Sequence, residues 1–120
     1  VMAKILLAED DDSMRHFLGR ALDRAGHEVF SVGQGDEALP VLAEGRFDLL
    51  LADIVMPEMD GIELARRAVA VDPGIRIMFI TGFAAVALRN RQTSQSDAKV
   101  LSKPFHLRDL VDEIDKTLAA

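Results

Sequence analysis

The stretch Phe47-Asp48-Leu49-Leu50-Leu51-Ala52-Asp53 decides the fold class of this chain. Its four consecutive apolar residues are typical of a strand that is buried on both faces, as in a parallel sheet, and a carboxylate follows them. Three other apolar runs have the same form, and they lead to Glu9-Asp10, to Thr81 and to Lys103. Functional groups in open parallel sheets collect at the carboxyl ends of the strands. The sequence therefore predicts one polar site built from four separated segments.

Apolar runs alternate with helical patterns along the whole chain. The predicted strands are Lys4–Ala8, Glu28–Val32, Asp48–Ala52, Ile75–Ile80 and Ala98–Ser102. The predicted helices cover Met14–Ala25, Asp36–Ala43, Gly61–Val71, Ala84–Leu88 and Leu107–Leu118. Five such units with short, right-handed connections predict an α/β fold, a parallel sheet with helices on both faces. Pro40 conflicts with its helix, because a proline beyond the first turn costs about 3 kcal/mol.

Composition narrows the class of protein. A chain of 120 residues, 49% of them apolar, predicts one domain over residues 1–120 with no output domain. A net charge of −6 without a Lys/Arg-rich segment argues against nucleic-acid binding. The apolar runs fall short of the roughly 20 residues that a membrane span needs. The chain has no cysteine, which fits a cytoplasmic protein and excludes thiolate metal sites.

Three carboxylates are predicted at adjacent strand ends: Glu9, Asp10 and Asp53. Like charges this close repel one another, and a divalent cation is the simplest relief. Ligands that are all oxygens favour Mg²⁺, with Asp10 and Asp53 binding directly, Glu9 through water and the Val55 backbone carbonyl as a further ligand. The alternative is that the acids cap helices, and we prefer that interpretation for the segment Asp11–Ser13.

These motifs resemble the receiver domain of two-component response regulators, a CheY-like, flavodoxin-like fold with strand order 2-1-3-4-5. The matching pieces are Glu9-Asp10, Asp53–Gly61, Thr81-Gly82 and Lys103-Pro104-Phe105. The resemblance implies that Asp53 is the phosphoacceptor, with Glu9 and Asp10 holding Mg²⁺. It also implies that Thr81 bonds the phosphoryl group, that Lys103 pairs with it, and that the Lys103–Pro104 bond is cis.

The same resemblance implies the partner and the limits of the chemistry. The phosphoryl group would come from a histidine kinase or a histidine phosphotransfer protein. The domain would be no enzyme beyond Mg²⁺-dependent self-phosphorylation from a phosphodonor and autodephosphorylation.

Two positions depart from the family pattern. Val100 stands three residues before Lys103, where many members carry an aromatic switch residue, so that switch is expected to be absent or altered. Phe83 follows Thr81 by two residues and is larger than the residue in many members. We expect Phe83 to shield the acyl phosphate from water, so that Phe83→Ala would speed dephosphorylation. The polar run Asn90–Asp97 is either a short, mobile fourth helix or an ordinary surface loop.

Residues 8–15, 80–88 and 101–110 are close to the stand-alone CpdR-type regulators. That resemblance implies an adaptor that controls substrate delivery to a Clp-type AAA+ protease. The end, Leu118-Ala119-Ala120, is similar to a bacterial degradation tag, although alanine-ended helices are common. We expect a partner surface that includes Phe105, His106 and Arg108, and a monomer or weak dimer.

Three other interpretations stay open. The chain could be a phosphorelay intermediate or the truncated receiver of a larger regulator. A metal-dependent phosphatase with Asp53 as nucleophile is disfavoured, because its second acid would stand where this chain has Val55. His16, His27 and His106 lack metal-ligand spacing and are expected to be surface or boundary residues.

Overall fold

The three most apolar strands lie at the centre of the sheet. The computed structural model describes residues 2–82, 99–103 and 105–119. All neighbouring strands are parallel, in the order β2-β1-β3-β4-β5. The strands are β1 (Lys4–Ala8), β2 (Glu28–Val32), β3 (Leu49–Asp53), β4 (Arg76–Thr81) and β5 (Lys99–Ser102). The helices are α1 (Asp12–Arg24), α2 (Gly35–Glu44), α3 (Gly61–Val71) and α4 (Leu107–Ala119). The predicted α/β class and strand order are confirmed.

Successive side chains of the central strands point into two different cores, as the strand period of two requires. Leu6 and Leu50 are buried in one core together with apolar residues of α2 and α3. Leu7 and Leu51 are buried in the other core with residues of α1 and α4. Both faces of the sheet are therefore covered, which explains why these strands are unbroken apolar runs.

The element boundaries follow the prediction closely. β1, β2 and α3 have the predicted bounds, whereas β3 and β4 start and end one residue later. As a result, Asp53 and Thr81 are the last residues of their strands. The predicted helix Ala84–Leu88 lies outside the described residues. Among the residues described, no helix has both the length and the apolar character needed to span a bilayer.

Helix α2 forms in spite of Pro40, which lies inside it and beyond its first turn. The proline cannot donate a hydrogen bond to the carbonyl of Asp36, four residues earlier. Ala38 and Leu42 on the same helix are nevertheless buried in the core. Tertiary packing of the apolar face thus outweighs the missing hydrogen bond, which the local sequence could not reveal.

Candidate functional site

Four segments deliver polar side chains to one edge of the sheet. Glu9 directly follows β1, Asp53 ends β3, Thr81 ends β4 and Lys103 directly follows β5. The backbone N–H of Glu9 donates to the Val32 carbonyl at 3.1 Å, and that of Lys103 donates to the Thr81 carbonyl at 2.7 Å. These two bonds fix the backbone of Glu9 and Lys103, the first residues after β1 and β5. The predicted clustering at the carboxyl edge is found.

One ammonium group links two buried carboxylates at this edge. Lys103 Nζ donates to Asp53 Oδ2 at 3.0 Å and to Glu9 Oε1 at 3.1 Å. Burial alone would lower the pKa of Lys103, but the hydrogen bonds and negative charges of Asp53 and Glu9 outweigh burial and raise it above its usual value. Lys103 therefore remains cationic and pairs with the Asp53 and Glu9 carboxyl groups at the same time.

Glu9 has an unusual protonation equilibrium. Burial raises the pKa of its carboxyl to about 7, and the negative charge of Asp53 acts in the same direction. The Asp11 backbone N–H, which donates to Glu9 Oε2 at 3.1 Å, and the Lys103 ammonium oppose that rise. The carboxyl is therefore poised between its neutral and charged forms near neutral pH.

The three predicted acids have a geometry that suits a divalent cation. Glu9, Asp10 and Asp53 each offer an oxygen, and these atoms lie within 4.8 Å of one another. Glu9 and Asp53 are buried, whereas Asp10 is exposed to solvent. Mg²⁺ prefers carboxylate oxygens and keeps several waters, so a set with one open side fits it. The donor chemistry of these residues is consistent with a Mg²⁺ site.

The loop after β3 holds the Asp53 carboxylate from a second direction. The Val55 backbone N–H donates to Asp53 Oδ1 at 3.1 Å, while the Val55 side chain is 60% exposed. Gly61 returns close to the strand, since a Cβ there would lie 2.3 Å from the Asp53 carbonyl oxygen. Glycine is thus required at position 61 by this close approach. A ligand role for the Val55 carbonyl stays a prediction.

The predicted switch residues are only partly covered by the described chain. Thr81 is buried, and its hydroxyl donates to the Gly82 carbonyl at 3.0 Å, so it is engaged within its own loop. Val100 lies beside Phe79 in the ladder and packs against the core on the α2 and α3 side. Phe83 lies outside the described residues, and its shielding role stays a prediction.

The predicted partner surface lies at the start of α4. Phe105 is half-buried and packs against the core next to α1, whereas His106 and Arg108 are exposed. Pro104 lies outside the described residues, and so does the predicted cis bond. The surface or boundary position expected for all three histidines is wrong for His27, which is 3% exposed and accepts the Ala3 backbone N–H at Nδ1, at 3.1 Å.

The sequence reasoning also passed over Arg15, a residue that contacts the acidic segment. Its guanidinium donates to the Glu9 carbonyl at 2.9 Å and to Asp12 Oδ1 at 2.6 Å. An arginine one helical turn after an acidic run was the available signal. The preferred capping interpretation of this segment is correct for Asp11, which accepts the Met14 N–H at 2.9 Å.

A doubly wound parallel sheet with this polar edge defines the class of flavodoxin-like signalling modules known as receiver domains. The chain belongs to that family, because the model of the response regulator receiver domain matches residues 5–115. Members of this family are signalling modules of two-component systems rather than enzymes that turn over a substrate.

Individual relatives agree with this assignment. The chain is 63% identical over 119 residues to the response regulator receiver protein CpdR of Brucella abortus, and the match covers 99% of both proteins. It is also 36% identical over 118 residues to the sensor kinase CckA of the same organism, of which it spans 12%. The chain is thus similar to a receiver protein of its own length and to a short part of a sensor kinase.

Solved structures show the same fold. A CheY-like receiver domain protein from Methanospirillum hungatei has a TM-score of 0.85 and 30% identity, covering 99% of this chain and 95% of that one. The response regulator TrrA from Thermotoga maritima, solved in complex with Mg²⁺ and BeF, has a TM-score of 0.83 and 27% identity, covering 95% and 97%.

Proposed function

We propose that Asp53 accepts a phosphoryl group from a phosphohistidine on a histidine kinase or a histidine phosphotransfer protein. The observation that carries this proposal is the Asp53 carboxylate itself, held by Lys103 on one oxygen and by the Val55 N–H on the other. A carboxylate oxygen attacks phosphorus, and the donor's phosphorus–nitrogen bond breaks. The imidazole leaves with the bonding electrons and takes a proton from solvent, so that an acyl phosphate remains on Asp53.

The transferring group is anionic and enters a site that already contains carboxylates. Lys103 lies 3.0 Å from Asp53 and offsets part of that charge without moving. Asp10 and Asp53 would hold Mg²⁺ directly, with Glu9 through water and the Val55 carbonyl as a further ligand. When bound, the cation supplies the remaining positive charge that phosphoryl transfer needs. The Mg²⁺ and BeF complex of TrrA supports this assignment by similarity.

Phosphorylation would then reposition the loop that begins at Thr81. Its hydroxyl now donates to Gly82, and the new phosphoryl oxygens would be stronger acceptors for it. Drawing the hydroxyl toward Asp53 would break its bond to the Gly82 carbonyl and move the backbone at Gly82. A local electrostatic change thereby biases a two-state element. Val100 has no aromatic ring, so this switch would work without an aromatic rotamer.

The phosphodonor is proposed to dock beside the first turn of α1. A groove of about 640 Å³ runs between α1 and the start of α4, from Asp12 to Arg24, and includes Leu107. Phe17 in this groove is 54% exposed, and Arg20 adds positive charge to its rim. A helix lying there would bring its phosphohistidine close to the acidic site. The exposed Phe17 ring and the positive charge of Arg20 together support this groove as the docking surface for the phosphodonor.

The output is proposed to be regulated proteolysis. Similarity to CpdR-type regulators supports a stand-alone adaptor that binds a Clp-type AAA+ protease in one phosphorylation state and not in the other. Phe105, His106 and Arg108 are proposed as part of the surface that changes, because they directly follow Lys103 and the strand that adjoins Thr81.

The first test is phosphorylation by a small phosphodonor. The protein is incubated with Mg²⁺ and acetyl phosphate, and its intact mass is compared with those of Asp53→Ala and Asp36→Ala. Asp36 is an exposed acid near the start of α2, outside the four segments that form the site, and it serves as the matched control. We expect one added phosphoryl group in the wild type and in the control, and none in Asp53→Ala. Equal labelling of all three proteins would exclude Asp53 as the acceptor.

The lifetime of the acyl phosphate separates the adaptor from a phosphorelay intermediate. An adaptor needs a phosphorylated state that outlasts its encounter with the protease, and the affinity of the two forms for that partner must differ. A relay intermediate instead returns its phosphoryl group rapidly to a histidine. Rapid back-transfer with equal partner affinities would favour the relay.

A further inference from the structure

Arg15 joins three segments beneath the acidic site. Its Nη1 donates to the Glu9 carbonyl at 2.9 Å, and its Nη2 donates to Asp12 Oδ1 at 2.6 Å. The same guanidinium lies against the turn after β2, since a Cβ at Gly33 would be 3.1 Å from Nη1. The side chain is largely covered, in contrast to Arg20 one turn later, which is exposed. Arg15 is therefore built into the loop between β1 and α1.

The carbonyl that Arg15 holds belongs to the peptide between Glu9 and Asp10. A peptide group is planar, so a bond to this oxygen also fixes the plane that carries the Asp10 nitrogen. Glu9 is held independently, because its N–H donates to Val32 and its carboxylate is bonded to Lys103 and to the Asp11 N–H.

Asp10 has no comparable support of its own. It is exposed, and among residues 2–82, 99–103 and 105–119 its carboxylate accepts no hydrogen bond. The direction of the Asp10 side chain thus depends on its backbone, and the Arg15 guanidinium holds that backbone on its amino side.

We propose that Arg15 is a positioning residue for the cation site: it fixes the Glu9–Asp10 peptide and thereby keeps the Asp10 carboxylate aimed toward Asp53. This inference rests on the proposed function, because it concerns the Mg²⁺ that this function needs. The positive charge of Arg15 by itself would weaken cation binding. If Arg15 acts by positioning Asp10, removing its side chain weakens Mg²⁺ binding. If it acts only through its charge, removing the side chain strengthens Mg²⁺ binding, so a binding measurement separates the two roles.

The test is Mg²⁺ binding to the unphosphorylated protein, followed by calorimetry and by the amide resonances of Asp10 and Asp53. The variants are Arg15→Lys, which keeps the charge, and Arg15→Met, which keeps most of the stem, with Arg46→Met, at an exposed arginine between α2 and β3, as the matched control. Outer partners of metal ligands typically change affinity by about 10–100-fold. We expect both Arg15 variants to bind Mg²⁺ at least about tenfold more weakly, and the control to bind as the wild type does.

Phosphorylation by acetyl phosphate provides a second readout. If Arg15 acts by positioning, the rate in both Arg15 variants recovers as Mg²⁺ is raised to saturation. Should either variant fail to fold, Gly33→Ala tests the same contact by crowding Nη1 while keeping Arg15, and a smaller loss of Mg²⁺ affinity is expected.

Three outcomes would overturn the inference. Tighter binding in Arg15→Met with no change in Arg15→Lys would mean that Arg15 acts through its charge alone. Unchanged affinities with a lowered melting temperature would make Arg15 purely structural. Failure of the wild type to bind Mg²⁺ would exclude the proposed cation site itself. If instead the wild type and the Arg15 variants bind Mg²⁺ equally and all become phosphorylated, only the role of Arg15 is excluded and the proposed function stands.

Discussion

The two edges of this parallel sheet satisfy their polar groups in different ways. At the amino edge, three polar contacts each join one group to one partner. The Lys4 backbone N–H donates to Asp48 Oδ2 at 2.8 Å, and the Arg76 guanidinium donates to the Thr117 carbonyl at the end of α4. The Lys4 ammonium also lies 5.0 Å from the centre of the Phe47 ring. No two like charges face each other among these contacts.

At the carboxyl edge, the groups are not matched one to one. The buried carboxylates of Glu9 and Asp53 share the single ammonium of Lys103, and Asp10 adds a third acid nearby. Burying charge without full compensation costs stability, and this is the usual condition of functional sites. The comparison teaches that one edge stabilises the fold, whereas the other concentrates uncompensated charge, as the proposed cation and phosphoryl sites require.

The largest expected effect comes from breaking the amino edge. Phe47 is 5% exposed, and its ring packs edge-on against Phe30 with centroids 5.6 Å apart. Phe47→Ala is expected to lower the free energy of unfolding by about 3–5 kcal/mol, because it leaves a cavity in the core. Phe30→Ala is the control, and since Phe30 is 42% exposed the loss should be much smaller. Urea unfolding measures both.

The folded Phe47→Ala protein should still accept a phosphoryl group at the wild-type rate. Loss of phosphorylation at a temperature where the variant is fully folded would contradict the division between the two edges.

The second largest expected effect is a pH dependence of the free energy of unfolding, which comes from Glu9 at the carboxyl edge. The pKa of Glu9 is raised to about 7 in the folded protein, so the folded state binds more protons than the unfolded state between pH 4.5 and 7. Glu9 therefore lowers the free energy of unfolding as pH rises through this window, by at most about 1.4 kcal/mol per pH unit. Unfolding of the Mg²⁺-free wild type and of Glu9→Gln, measured from pH 4 to 8, should give curves that diverge there. Parallel curves would contradict the assignment.

The smallest expected effect is a gain. Asp53→Asn removes one of the two buried negative charges while keeping the shape of the side chain, so Glu9 no longer shares Lys103 with a second carboxylate. We expect the Mg²⁺-free variant to unfold at higher urea, by about 1 kcal/mol, as is common when a functional site is neutralised. Asp48→Asn at the amino edge should instead destabilise slightly, because a neutral amide oxygen accepts the Lys4 N–H more weakly than a carboxylate does. Destabilisation in both variants would show that the edges do not differ in this respect.

Much of the fold could be predicted because its signals are local. Apolar runs mark β1 and β3, and the heptad-like spacing of apolar residues marks α1, so the order of elements can be read along the chain. The pattern of Asp36–Ala43 also predicts α2, but local signals could not show why the helix tolerates Pro40, which depends on the burial of Ala38 and Leu42 in the core.

Side-chain environments were harder to predict than the elements that carry them. The burial of His27 depends on a hydrogen bond to Ala3, 24 residues away in the sequence. Arg15 looked like any solvated arginine of an amphipathic helix, because its partner is a backbone carbonyl that carries no sequence signature.

The sequence by itself determined which strands form and which polar residue follows each central strand, because apolar runs mark buried strands and short right-handed connections make those strands parallel. Only the tertiary structure decided how those residues share charge. Lys103 lies 94 residues from Glu9 and 50 from Asp53, yet it bonds to both. Burial raises the pKa of Glu9, and a hydrogen bond from Arg15 holds the Glu9–Asp10 peptide. Both exist only once the separated segments have packed together.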